Sequence, residues 1–277
     1  MSGAGRPPDP VGVHLVSGLP TGDLLDTVTV TVELPVPRRA LAVGAHPDDI
    51  EFGAGATLAK WAAAGCAVHL LVLTDGSKGS WDPDEDLDHL VATRKQECRE
   101  AATKLGAGRP VNEDRVRFLG AVDGELTNDM DTRREVARVI REVRPDVLLG
   151  HDPWRRYRLH PDHRAAGFLV LDAVVAARDP HFLPELALEP HRPTALLLWE
   201  ADLANHVERA AGFEATKVDA LLCHHTQLET SMGLVVDDGS TASGPDNFAA
   251  RIGWQLAQHG AVAGIGSGEA FHLIDQL

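Results

Sequence analysis

At 277 residues the chain is long enough to bury a sizeable core, in one large domain or two small ones. Its 41 acidic against 26 basic residues leave a formal net charge of −15. No run of Lys or Arg is long enough to follow a phosphate backbone, so neither nucleic acid nor an anionic membrane is expected as a partner. Cys66, Cys98 and Cys223 are scattered and form no C-x-x-C pair, which points to reduced thiols. With neither a signal-peptide core nor a membrane-length apolar run, the protein is expected in the cytoplasm.

Residues 1 to about 25 are rich in Gly and Pro and are expected to be loosely ordered. Thr27 to Glu33 alternates β-forming residues as an edge strand or hairpin arm would, and residues 1–39 read as an N-terminal extension. From residue 40 to 277 the pattern is that of one α/β domain. Ala40 to Ala45 predicts a short strand, Gly53 to Ala64 a helix closed by Gly65, and Ala67 to Thr74 a buried strand. Leu90 to Leu105 predicts a helix ending at Gly106, and Arg115 to Leu119 a strand. Asp131 to Val143 predicts a helix capped by Asp131 or Thr132 and stopped at Arg144-Pro145. Asp146 to Gly150 follows as a strand, Pro161 to Ala177 as a helix, Thr194 to Trp199 as a strand and Glu214 to His225 as a helix. Met232 to Phe248 reads as a long loop, either a plain connection or a cover for substrate. This alternation implies a Rossmann-like, mostly parallel sheet with helices on both faces, with chemistry at the carboxyl ends of the strands.

Two such ends carry unusual side chains. The first strand runs into Ala45-His46-Pro47-Asp48-Asp49, where His46 and Asp49, three apart on a tight turn, converge and Asp48 projects elsewhere. A catalytic metal takes three N/O ligands and keeps one position open. The third comes from His160-Pro161-Asp162-His163, which opens the helix after the 146–150 strand. His163 completes a two-His, one-carboxylate set, and His160 stands beside it as a hydrogen-bond donor. Either H-x-x-D or H-x-x-H alone is a weak signal among fourteen histidines, and an acidic turn after a strand can be a simple helix cap. Two such motifs, each after an apolar strand and each opening a helix, favour the metal site. Gly53-Ala54-Gly55 is not a dinucleotide fingerprint, because Leu58 stands where its third glycine would be. The loop Asp152 to Arg158 reads either as a solvated surface or as a stacking wall for a sugar, with Trp154 and Tyr157 as the wall residues; Trp81 has the same two readings. His224 is read as helix packing, or as a residue supporting the ligands from behind, rather than as a ligand.

These motifs resemble the PIG-L/LmbE-like family of zinc-dependent N-deacetylases, whose hallmarks A-H-P-D-D and H-P-D-H are intact at Ala45–Asp49 and His160–His163. The similarity runs over roughly residues 40–228. It includes Thr74-Asp75-Gly76, Arg94 and Glu97, Ala101-Ala102, Leu105-Gly106, Asp123-Gly124, and Lys217, Ala220-Leu221, His224 and Thr226-Gln227, with Thr226 where the family usually has Ser. The resemblance implies that His46, Asp49 and His163 hold zinc (iron in the cell being the alternative metal), that Asp48 is the general base, and that His160 stabilises the oxyanion with Asp162 orienting it. It places Arg94 on the sugar. The implied activity is hydrolysis of an N-acetyl or other N-acyl group from a glucosamine-containing small molecule or glycoconjugate, or alternatively of an amide-linked thiol/sugar conjugate, with a homo-oligomer left open. A mononuclear Fe(II) oxygenase would use the same ligand set but lacks the expected jelly-roll strands. An inactive sugar-binding module is disfavoured by the intact Asp48.

Overall fold

The structure, a computed structural model, describes residues 29–107, 115–234, 236–237, 240–241 and 244–277. The reading of residues 1–25 as loosely ordered lies outside them, as do Thr27 and Val28 of the expected first strand. Apolar runs that must bury both faces become central strands, and the apolar alternation along them shows which face each residue serves. In β2 (Arg39–Gly44), Ala40 and Ala42 face one core while Leu41 and Val43 face the other. In β3 (Ala67–Thr74), Val68, Leu70 and Val72 join the first, and Leu71 and Leu73 the second. Each such buried Leu stabilises the fold by about 1.5–3 kcal/mol relative to exposure.

The remaining elements follow in chain order. After β1 (Thr31–Val32) and β2 come α1 (Asp49–Ala63), β3, α2 (Leu87–Lys104), β4 (Val116–Ala121), α3 (Met130–Val143), β5 (Val147–His151), α4 (Pro161–Arg178) and β6 (Ala195–Trp199). Then come β7 (His206–Arg209), α5 (Glu214–Leu221), the short pair β8 (Val236–Asp237) and β9 (Ser240–Thr241), α6 (Pro245–Val262) and β10 (Gly268–Ile274). The main sheet has the order β1-β7-β10-β6-β5-β2-β3-β4. Its pairings are parallel except for β10, which runs antiparallel to both β6 and β7. Residues of α1, α2 and α5 pack on one face, and those of α3 and α4 on the other. This is the mostly parallel, doubly covered sheet expected from the sequence. Chain order reverses between β2 and β5, and the crevice beyond the carboxyl ends of those two strands is where such sheets bind ligands.

Several boundaries differ from expectation. The first helix starts at Asp49 rather than Gly53 and is broken at Ala54 (φ −145°, ψ 18°). Glu269 of β10 accepts from the backbone N–H of Ala56 and Thr57 at 3.1 and 2.7 Å, restarting the helix beyond the break. The cap of α3 is Asp129, whose side chain accepts from Thr132 N–H at 2.9 Å, instead of Asp131 or Thr132. Helix α5 stops at Leu221, short of His225. The 232–248 segment, of which 235, 238–239 and 242–243 lie outside the described residues, carries β8, β9 and the start of α6. Among the described residues, no helix is long and apolar enough to cross a membrane.

Candidate metal centre

The turn after β2 is shaped by Asp48, whose φ of 110° places a non-glycine residue in a costly left-handed region. This reverses the chain sharply enough for α1 to begin at Asp49. Asp49 closes the turn by accepting His46 N–H on Oδ2 at 2.7 Å. His46 and Asp49 thus leave β2 pointing at one spot, while the loop after β5 and the first turn of α4 bring His160 and His163 to the same spot.

His46 Nδ1 lies 3.3 Å from Asp49 Oδ2, His163 Nε2 lies 3.3 Å from Asp49 Oδ1, and the two histidine nitrogens are 3.2 Å apart. Tetrahedral ligation at about 2.0–2.1 Å sets neighbouring donors about 3.3–3.4 Å apart, which each of these distances approaches with the two histidines facing different oxygens of Asp49, so the donor set fits a small transition-metal cation. Three further donor sets share residues with it: His46–His160–His163, Asp49–His151–His163 and, on the Nε2 side of His46, His46–Asp123–Asp162.

The protonation of His46 suits ligation. Its Nε2 faces Asp162 Oδ2 at 3.1 Å and Asp123 Oδ1 at 3.2 Å, two acceptors, so the ring proton belongs there and the Nδ1 lone pair is directed at Asp49 and His163. Burial acts to lower the His46 pKa, but Asp123, Asp162 and Asp49 outweigh it and raise it well above the ordinary imidazole value. Burial alone would raise the Asp49 carboxyl, yet His163 and His151 hold it well below the ordinary carboxylate value. The site therefore favours positive charge beside the Asp49 carboxylate, and a cation bound at Nδ1 would displace the second His46 proton.

Asp48 differs from its neighbour. It is buried, its Oδ2 lacks a hydrogen-bond partner among the described residues, and its nearest cation is Arg94 Nη2, 4.0 Å from Oδ1. Burial raises its pKa, with Arg94 opposing and Asp49 adding to the rise. Such a carboxyl is free to exchange a proton. The His160 ring meets His46 edge-on at 4.5 Å between centroids and stacks on His163 at 5.0 Å. Burial and then the neighbouring His46 and His163 lower its pKa, so it stays neutral near pH 7.

The structure places Asp162 and the aromatics of the 152–158 loop elsewhere than expected, and Arg94 at the cavity wall. Asp162 does not serve His160 in the way expected: its carboxylate hydrogen-bonds His46 Nε2 and accepts from Gly124 N–H at 2.6 Å and Leu126 N–H at 3.2 Å. Arg94 lines the pocket as a brace, donating through Nη1 to Gly76 O at 2.7 Å and through Nη2 to Pro47 O at 2.9 Å. Trp154 and Tyr157 are not brought to the histidines. Trp154 is 58% exposed, packs edge-on against Phe168 and lines another cleft with Leu203 and His272, while Tyr157 is 93% exposed.

A cavity of about 470 Å³ opens over the His46–Asp49–His163 cluster, walled by Lys78, Asp123, Gln227, Thr230 and Ser231 as well as Arg94. Its loops are tied together from below. Asp75 Oδ1 accepts from Ser77 and Asp123 N–H, and Glu97 accepts from both the backbone N–H and the hydroxyl of Thr226. Thr in place of Ser at 226 keeps the hydroxyl this contact needs. His151, which carries no motif in the sequence and stands at the end of its strand, lies against Asp49. Arg158 donates to His163 Nδ1 at 2.7 Å and pairs with Glu200.

Residues 41–174 match the family model described as PIG-L: GlcNAc-PI de-N-acetylase. The diacetylchitobiose deacetylase of Thermococcus kodakarensis is 33% identical over 193 residues, 69% of this chain and 70% of that one. The 1D-myo-inositol 2-acetamido-2-deoxy-alpha-D-glucopyranoside deacetylase of Streptomyces avermitilis is 37% identical over 172 residues, 54% of this chain and 57% of that one. Among solved structures, the N,N'-diacetylchitobiose deacetylase from Pyrococcus horikoshii superposes with a TM-score of 0.75 at 26% identity, covering 86% of this chain and 84% of that one.

Proposed function

The chain belongs to the PIG-L family, and on that basis we propose that it is a metal-dependent amide hydrolase removing the N-acetyl group from a glucosamine unit of a small glycoside. The observation that carries this reading is the 3.2–3.3 Å spacing of His46 Nδ1, the Asp49 carboxylate and His163 Nε2 beside Asp48, whose Oδ2 has no hydrogen-bond partner among the described residues. In this reading those three residues hold zinc. When bound, zinc supplies a Lewis acid that lowers the pKa of water at the site and polarises the amide carbonyl.

The chain's own groups supply the rest. Asp48 takes the proton of the attacking water, which its raised pKa suits, and returns it to the departing amine. His160, neutral at physiological pH, turns an imidazole N–H toward the developing oxyanion. Asp123 and Asp162 hold the proton of His46 on Nε2, away from the metal side. Ligation by His163 Nε2 would need the ring proton on Nδ1, the atom that Arg158 faces at 2.7 Å, so Arg158 would have to release that nitrogen while its pairing with Glu200 could remain. The polar wall of Lys78, Gln227, Thr230 and Ser231 suits hydroxyl groups of a neutral sugar. The test is acetate release from diacetylchitobiose and from N-acetylglucosaminyl-inositol by wild type, chelator-treated protein and Asp48→Asn. Release that persists without metal, or in Asp48→Asn at wild-type rate, would overturn the reading.

A further inference from the structure

His151 is the last residue of β5 and Trp199 the last of β6, and the two are paired in register on adjacent parallel strands. Both are 1% exposed. Trp199 Nε1 donates to His151 Nδ1 at 3.0 Å and Arg158 Nη1 approaches the same nitrogen at 3.3 Å, both nearer than the Glu200 carboxylate at 3.8 Å. An indole and a guanidinium can only donate, so His151 Nδ1 is an acceptor and the proton of the neutral ring sits on Nε2. That N–H faces Asp49 Oδ2 at 3.2 Å; the Ala45 N–H, at 3.4 Å from the same nitrogen, is the longer contact. A ring so protonated has no lone pair to give a metal through Nε2.

Asp49 Oδ2, which also lies 3.3 Å from His46 Nδ1, thereby receives two N–H groups, from the His46 backbone and from His151, leaving Oδ1, which faces His163 Nε2, the freer oxygen. The indole that sets the His151 tautomer is itself seated against Gly53, where an added Cβ would lie 2.5 Å from its Cγ and Cδ2. We infer that His151, set by Trp199, is a positioning residue for the metal: it anchors Asp49 Oδ2 so that Oδ1 is presented to the ion. The inference rests on the reading of Asp49 and His163 as ligands.

Zinc affinity, measured by competition with a chromophoric chelator on the full chain, tests it independently of turnover, with the Tm of the metal-free protein as a control for folding. His151→Ala should weaken zinc binding by roughly 10–100-fold, whereas His151→Gln, which keeps an N–H at the reach of Nε2, should stay within about threefold of wild type. Trp199→Phe, which removes the donor but keeps a ring, should fall between them. The d–d spectrum of the cobalt-substituted His151→Ala protein should match wild type, because no ligand is lost. A His151→Ala affinity within twofold of wild type, while His163→Ala loses the metal, would overturn the inference. So would a cobalt spectrum altered as a lost ligand alters it. Wild-type zinc affinity in His163→Ala would instead bring down the ligand assignment beneath it.

Discussion

Asp162 Oδ2 hydrogen-bonds Nε2 of His46 at 3.1 Å, across 116 residues of sequence, although His160 and His163 flank it on its own helix turn. The contact couples the two motifs: the carboxylate of one sets the tautomer of the histidine in the other. Asp162→Asn keeps an oxygen for one of the Gly124 and Leu126 N–H groups but weakens the hold on His46. It should lower zinc affinity by roughly 10–100-fold while turnover at saturating zinc falls much less. Zinc titration beside kcat in the same preparations separates this from a direct proton-transfer role, in which kcat would fall and affinity would not.

Asp48 and Asp49 are adjacent and should behave as opposites. Asp48→Asn should retain metal and lose roughly 10²–10⁴-fold in kcat, without rescue by added zinc. Because burial raises the Asp48 pKa, the base is protonated and activity is lost as pH falls through a value above the ordinary carboxylate range. The acid limb of kcat/KM should therefore lie higher than an unperturbed aspartate would put it, and should flatten in Asp48→Asn. A limb unchanged by that substitution would assign it to another group.

Trp154 and Tyr157 lie outside the cavity. Trp154→Ala and Tyr157→Ala should each leave kcat/KM within about twofold of wild type on N-acetylglucosamine glycosides. A rise in KM beyond that for either variant would show that the 152–158 loop reaches the substrate.

Gly53 owes its place in α1 to Trp199. Adding a methyl group puts a carbon 2.5 Å from the indole, so Gly53→Ala should destabilise the protein by about 1–3 kcal/mol as an overpacked core site, in spite of alanine's better helix propensity. Denaturant unfolding of the metal-free variant measures this directly. A stabilised variant would mean that Trp199 has another seat available.

Membership of the candidate metal centre is legible along the chain without any coordinates. Ala45–Asp49 and His160–His163 each follow an apolar strand and open a helix, and that local pattern brings them to the carboxyl ends of β2 and β5, flanking the point where strand order reverses. The alternation of strands and helices is equally legible, since burial on both faces demands continuous apolar runs such as Ala67–Thr74. Local pattern fails where a contact from a distant segment decides the outcome. The early start of α1 depends on strain held at Asp48, and its restart after Ala54 depends on Glu269, more than 200 residues away. β7 and β10 have no comparable local signature, because their places are set by pairing with each other and with β1 and β6 respectively. His151 carries no spacing signal, being one histidine at the end of Val147–His151; only the register of β5 beside β6 sets it between Trp199 and Asp49. Trp154 and Tyr157 follow β5 more closely in sequence than His160 and His163 do, yet the loop turns them outward. Spacing along the chain is a local property and names the candidate ligands, whereas the hydrogen bonds that fix their tautomers join strands and loops far apart in sequence, so only the folded chain could decide them.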